Sequence, residues 1–353
     1  MSLRKKRRFK KSRLRSSALL ALFPSFAAEP FGGVQISGRE ALRSITERIG
    51  TGADAFYYEP DEAKSKNLVR AIRNRTRVDT LLVWHSGLLK LVPFIAASNR
   101  RLVLFLHGIE AWRKQDPLTS LLMRRTDLFL SNSEHTWNRF AAIHTACAAK
   151  PHRTVHLGLG DPLQYPQAPP DSPPSALMIG RMRKDENYKG HREMIEVWPK
   201  VLACLPAAEL RIVGDGDLRP ELERLAQNLG LTRHIRFYGA VPDSKKEELL
   251  GQCRSLVLPS AGEGFGLVYL EAMRMGRPCI VSNLDAGSEV VNPPEAGLAV
   301  DLHDSAQVAS AVVRLLTPGL EWQQMSARAQ HRYESNFTAR HFGQRLQAAL
   351  FDD

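Results

Sequence analysis

The chain has 353 residues, 43% of them hydrophobic and 24% charged. That is enough apolar material for two cores and too much for a disordered chain, and no apolar run reaches the roughly 18 residues of a membrane-spanning helix. The formal net charge of +12 is unevenly placed: "MSLRKKRRFKKSRLR" at residues 1–15 holds five Arg and four Lys without an acid, leaving only +3 for the rest.

The basic tail, residues 1–16, reads as a solvated arm with affinity for an anionic membrane surface, about 1 kcal/mol per Lys or Arg beside a charged leaflet. Nucleic acid is not an expected partner, because no reading module follows and the aromatic residues do not interleave with the basic ones. Cys147, Cys204, Cys253 and Cys279 show no CxxC or Cys/His spacing. They read as reduced core thiols, which favours a cytoplasmic protein held only peripherally at a membrane. The tail with "SSALLALFPSFAA" imitates a signal peptide, yet Pro24 interrupts the apolar run and residues 17–23 are needed as the first strand.

Along the chain, strand-like runs alternate with helical patterns. The first half reads "ALLALF", the helix "SGREALRSITERIG", "DTLLVWHS", a helix through Ile95, "RLVLFLHG", "DLFLSNS" and "TVHLGL". Such alternation predicts a parallel sheet with helices on both faces. Residues 161–174, "DPLQYPQAPPDSPP", hold six prolines and mark an interdomain linker.

The second half repeats the architecture: "ALMIGR", a helix from about Gly190 to Leu205, "ELRIVGDG", "RPELERLAQNLG", "HIRFYGAV", "SKKEELLGQ", "SLVLPS", "GLVYLEAMRMG", "PCIVSN" and "GLAVD". Its apolar runs are continuous, as strands buried on both faces require. The expected division is a first domain over 17–165, a linker over 166–175, a second domain over 176–335 and a closing helix within 336–353. Ligands of such sheets sit beyond the carboxyl ends of the strands, so the cleft between the domains is where chemistry is expected.

The stretch "PSAGEGFGLVYLEAM", residues 259–273, hands a strand to a helix through Gly262, Gly264 and Gly266. Glycines let the backbone approach a ligand, and a helix starting near Phe265 points unpaired N–H groups into the cleft, a ready anion site. Glu263 and Glu271 stand about two helical turns apart, too far to act as one acid/base pair. They read as hydroxyl acceptors at two places on one long, anionic, polyhydroxylated ligand. A second strand end places Arg181 after Gly180 and Lys189 before Gly190. A guanidinium fork and an ammonium together suit a leaving diphosphate.

These residues resemble the retaining glycosyltransferases of family 4, which have the α/β GT-B fold of two facing Rossmann-like doubly wound domains. The resemblance runs from about Ala18 and is strongest over residues 176–300. It rests on the Glu-seven-residues-Glu pattern of "EGFGLVYLEAM", with "GR…YKG", "RIVGDGD", "RFYGAVP" and "GRPCIVSN", and in the first half on "FGGVQ", "HGIE" and "LSNS". "HLGLGD" at 156–161 stands where many members carry an "NG" turn, and "DENY" lengthens the spacing from Arg181 to Lys189.

The resemblance implies a nucleotide-sugar donor on the second domain. Arg181 and Lys189 would bind its diphosphate, with the backbone of Phe265, Gly266, Leu267 and Val268 beside Gly264 and the close approach of Gly32 and Gly33. Glu271 would accept from the ribose, Glu263 from the transferred hexose, and the backbone around Gly239 to Val241 would meet the base. His107 would contact the hexose near its C6 hydroxyl. The implied mechanism is front-face substitution with retention, in which the leaving diphosphate takes the acceptor's proton. No cofactor or metal is implied.

Other signals carry less. Asp215-Gly216-Asp217 has the look of a metal-binding pair, but a strand-to-helix turn with capping explains it. Ser131 and Ser133 read as caps, and His85 and His135 as structural or cleft-lining. The expected activity is transfer of a hexose to a glycan or lipid-linked acceptor of a surface polysaccharide. A sugar-nucleotide epimerase and an inactive nucleotide-sugar-binding protein are the alternatives.

Overall fold

Runs such as "SALMI" and "CIVS" have no polar alternate, so both faces of each strand must be covered. The computed structural model describes residues 16–27, 32–163 and 173–352. Its first sheet comprises β1 (Ser16–Pro24), β2 (Ala53–Tyr58), β3 (Thr76–Val83), β4 (Ala96–Leu106), β5 (Leu128–Ser131) and β6 (His152–Thr154), in the order β2-β1-β3-β4-β5-β6. The second comprises β7 (Ser175–Ile179), β8 (Glu209–Val213), β9 (Ile235–Gly239), β10 (Ser255–Leu258), β11 (Cys279–Ser282) and β12 (Gly297–Val300), in the order β12-β11-β10-β7-β8-β9. Every pairing is parallel. With helices flanking both sheets, this is the GT-B fold.

Strand order fixes where a crevice can open. In the second sheet β7 and β10 are neighbours although three strands apart in sequence, so the chain leaves their carboxyl ends in opposite directions. That reversal is the switch point at which doubly wound sheets hold ligands. In the first sheet β1 pairs with both β2 and β3, which makes "ALLALF" a central strand.

The helix Gly33–Ile49 starts earlier than "SGREALRSITERIG" suggests, and "TVHLGL" gives up its strand character after Thr154. The reading along the chain passed over β2 and the helices Lys64–Arg73 and Pro117–Arg124. β2 lies at a sheet edge and is mostly half-exposed, so "ADAFYY" lacks the continuous apolar signature. Cys147, Cys253 and Cys279 are buried, but Cys204, the last residue of the helix His191–Cys204, is exposed and is not a core thiol.

The last helix, Ala339–Phe351, crosses back to the first domain. Gln347 Nε2 donates to the Ser44 carbonyl (2.9 Å), and the buried ring of Phe342 meets Trp84 edge-on. Arg101 donates to the Leu350 carbonyl (2.9 Å). The basic tail and the linker residues 164–172 lie outside the described residues.

Candidate active site

At the switch point, the turn after β7 and the loop after β10 bring opposite charges together. Lys189 Nζ lies 2.5 Å from Glu263 Oε1, and both side chains are largely buried. Burial opposes the ammonium most strongly, but Glu263, Tyr188 and Glu186 together outweigh it and hold the Lys189 pKa above its ordinary value. The Glu263 backbone N–H donates to Asp285 Oδ2 (2.9 Å), and Asp285 Oδ1 accepts from Gly287 N (2.8 Å), so a buried aspartate after β11 anchors the glycine-rich loop. Arg181 faces the same turn with its side chain 66% exposed. Glu186 takes it with two contacts, Nε to Oε2 at 3.2 Å and an Nη2 contact at 2.5 Å. The "DENY" insertion thus supplies an internal anion for the arginine.

The helix after this loop is Leu267–Arg274, two residues later than expected, because Gly266 (φ 84°) must turn the chain first. A Cβ on Gly266 would meet the Tyr269 ring. Neither Leu267–Arg274 nor Gly33–Ile49 has an acidic residue in its first turn or a side-chain cap at its start. Gly33 borders Leu267, where a Cβ would lie 3.4 Å from Leu267 Cδ1. Two helix N-termini, one from each domain and neither with a side-chain cap, therefore converge on one spot. Phe265 is buried, edge-on to Phe337, and Val268 is half-buried.

The domains touch through bare backbone here. A Cβ on Gly108 would sit 3.0 Å from Gly264 Cα, and one on Gly264 would collide with the His107 carbonyl oxygen. Ser133 Oγ and Thr136 Oγ1 both donate to the Gly264 carbonyl, at 2.7 and 3.0 Å. His107 follows β4, and its Nε2–H donates to the Trp84 carbonyl (2.7 Å). Burial, with His85 nearby, pushes its pKa down to about 4, against the pull of Glu110. The ring is therefore neutral, with Nδ1 as its lone-pair nitrogen.

Glu271 occupies a different part of the cleft. It lines a cavity of about 420 Å³ with Val241, Pro242, Leu250 and, from the first domain, Ile36. Lys246 Nζ contacts Glu271 Oε1 at 2.9 Å and Asp243 Oδ1 at 3.0 Å. Burial raises the Glu271 pKa despite the ammonium. Val241 lines this cavity, and Gly239 (φ 70°) abuts the Arg219 guanidinium. His107, Arg181, Lys189 and Glu263 do not line the cavity.

Several participants were not visible in the sequence. Glu289 accepts from the Glu134 and His135 backbone N–H groups (3.0 and 3.2 Å) and from His156 (2.6 Å), joining the domains across more than 130 residues. No local spacing announces such a contact. Glu186 lay in an insertion already noticed, and Lys246 in a polar helix face. Asp215 and Asp217 are consumed by the turn: Asp215 accepts from Gly216 N and Arg219, and Asp217 from Lys184 N. Ser133 caps the helix Glu134–Ile143, and His85 caps the turn Ser86–Leu91.

Residues 173–318 match the family described as glycosyl transferases group 1. The chain is 38% identical over 143 residues to a phosphatidyl-myo-inositol mannosyltransferase of Mycobacterium leprae, a match over 40% of this chain and 37% of that protein. It is 27% identical over 276 residues to a GDP-mannose-dependent alpha-(1-6)-phosphatidylinositol monomannoside mannosyltransferase of Mycolicibacterium smegmatis, covering 72% of this chain and 71% of that one. The chain thus spans well under half the length of the first of these relatives. Among solved structures, Anabaena HepE in complex with UDP and glucose superposes with a TM-score of 0.72 at 18% identity, over 96% of this chain and all of that one. Two parallel sheets with a switch-point cleft give the chain the GT-B fold, and residues 173–318 match glycosyl transferases group 1.

Proposed function

We propose that the protein transfers a hexose, with retention, from a nucleotide-sugar to a glycan or lipid-linked acceptor. The observation that carries this reading is the meeting of two uncapped helix N-termini, from Gly33 and Leu267, beside the cations of the β7 turn. A diphosphate seated there gains N–H donors from both helices, the ammonium of Lys189 and the fork of Arg181. The nucleoside then extends toward the Glu271 cavity and the hexose toward Glu263 and His107.

In this reading the bond from the anomeric carbon to the diphosphate breaks as the acceptor oxygen attacks from the same face, and the departing phosphate oxygen takes the acceptor's proton. The protein stabilises the charge that develops on the diphosphate and positions both substrates. Neutral His107 offers a lone pair to a hexose hydroxyl. No metal is needed for this, since arginine, lysine and two helix dipoles supply the countercharge. The GDP-mannose dependence of the Mycolicibacterium relative favours a guanosine diphosphate sugar. No helix among the described residues is long and apolar enough to cross a membrane. A lipid-linked acceptor would be met at a cytoplasmic membrane face, with the basic tail on anionic lipid.

A thermal-shift panel of GDP, UDP, ADP and TDP with their hexose conjugates, on wild type and Glu271→Ala, tests the donor site. Stabilisation by one nucleotide class, lost in the variant, is expected; no stabilisation by any removes the reading. Product analysis with and without acceptor then separates transfer from epimerisation.

A further inference from the structure

Lys246 makes no contact with the diphosphate region, yet it is the one cation touching Glu271 among the described residues. Its Nζ holds Glu271 Oε1 at 2.9 Å and Asp243 Oδ1 at 3.0 Å. The other carboxylate oxygen, Glu271 Oε2, is buried and has no hydrogen-bond partner among the described residues. A buried acceptor left unpaired is costly, and more so when charged. The residue lines the 420 Å³ cavity, between the apolar walls of Ile36, Val241, Pro242 and Leu250.

A carboxylate with one oxygen tied to an ammonium cannot turn freely about its last torsion. We infer that Lys246 is a positioning residue, which clamps Glu271 by Oε1, leaves Oε2 to be satisfied by a ligand hydroxyl and makes the site selective for ribonucleotide donors over 2′-deoxyribonucleotide ones. The inference rests on the donor-site reading and deepens it. A vicinal diol presents two O–H donors spaced for a carboxylate edge, whereas a 2′-deoxyribose presents one and leaves the buried oxygen unpaired. Sites built around a hydroxyl reject the analogue that lacks it far more strongly than apolar pockets reject a lost methylene. Donors carried on thymidine diphosphate fall in the rejected class.

The test is isothermal titration of wild type, Lys246→Met and Lys246→Arg with two matched pairs, GDP against 2′-deoxy-GDP and UDP against 2′-deoxy-UDP. Wild type should prefer the ribo form of its nucleotide by about tenfold or more. In Lys246→Met the ribo form should weaken by about tenfold and the deoxy form by less than twofold, so that the preference collapses, while Lys246→Arg retains most of it. Should Lys246→Met not fold, Lys246→Gln decides by the same ratio. Equal binding of ribo and deoxy forms by wild type overturns the inference, as does a Lys246→Met variant in which both weaken alike. Binding of no nucleotide by wild type overturns the donor-site reading itself, an outcome distinct from lost discrimination.

Discussion

Three cations around the cleft meet an acid before any substrate arrives: Arg181 with Glu186, Lys189 with Glu263 and Lys246 with Glu271. The first pair is the most exposed, and exposed pairs contribute little, about 0.2–1 kcal/mol. A diphosphate should displace Glu186 easily. Glu186→Gln should therefore tighten nucleoside diphosphate binding by no more than about fivefold, read by titration calorimetry. Arg181→Ala should lower kcat by about a hundredfold, because a charge-stabilising donor acts mainly on the leaving group. Near-normal turnover in that variant would mean that Lys189 and the helix N-termini suffice.

At the scale of elements, the strands of the second sheet were legible because their sequences are unbroken apolar runs with glycine or polar punctuation. The glycines before Leu267 announce one helix N-terminus from the residues themselves, whereas the approach of Gly33 came only with the resemblance, because it depends on how two sheets are set against each other. β2 escaped notice because an edge strand with polar and aromatic residues carries no core periodicity. The closing helix was legible as a helix, but its docking on the first domain rests on contacts 249 and 303 residues apart in sequence, which no local spacing announces. Its anchor is Phe342, fully buried against Trp84. Phe342→Ala should cost about 3–5 kcal/mol in denaturant unfolding, with the first domain losing protection in hydrogen exchange before the second.

At the scale of the whole molecule, acid should unfold the protein well above the usual carboxylate range. His107, His152 and His191 are each held neutral by burial, with pKa values pushed down to about 4 from 6.5. The unfolded chain binds more protons than the folded one between those values, so their contribution is complete above pH 6.5 and is lost as pH falls toward 4. Asp285, whose pKa burial raises to about 7, takes up a proton in the folded state over the same window and offsets part of this loss, so the melting temperature should fall through the window by less than three histidines alone would give. His191→Asn, at a residue buried at the start of the helix His191–Cys204, should flatten the slope. A flat profile between pH 6.5 and 4.5 would remove the assignment.

The seam at Gly108 and Gly264 bears on how fast such an enzyme can work. Backbone lies on backbone there, and the Gly264 carbonyl is gripped by two hydroxyls from the opposite domain. Parting the domains there breaks these contacts together rather than turning one side chain aside. Under the proposed function, release of a nucleotide bound beside the seam is expected to need the domains to part, a slow, large-amplitude motion. Turnover should then slow in step with the viscosity of the medium, with a slope near one in sucrose or glycerol and little slope in a polymer that thickens the bulk but not the solvent around the protein.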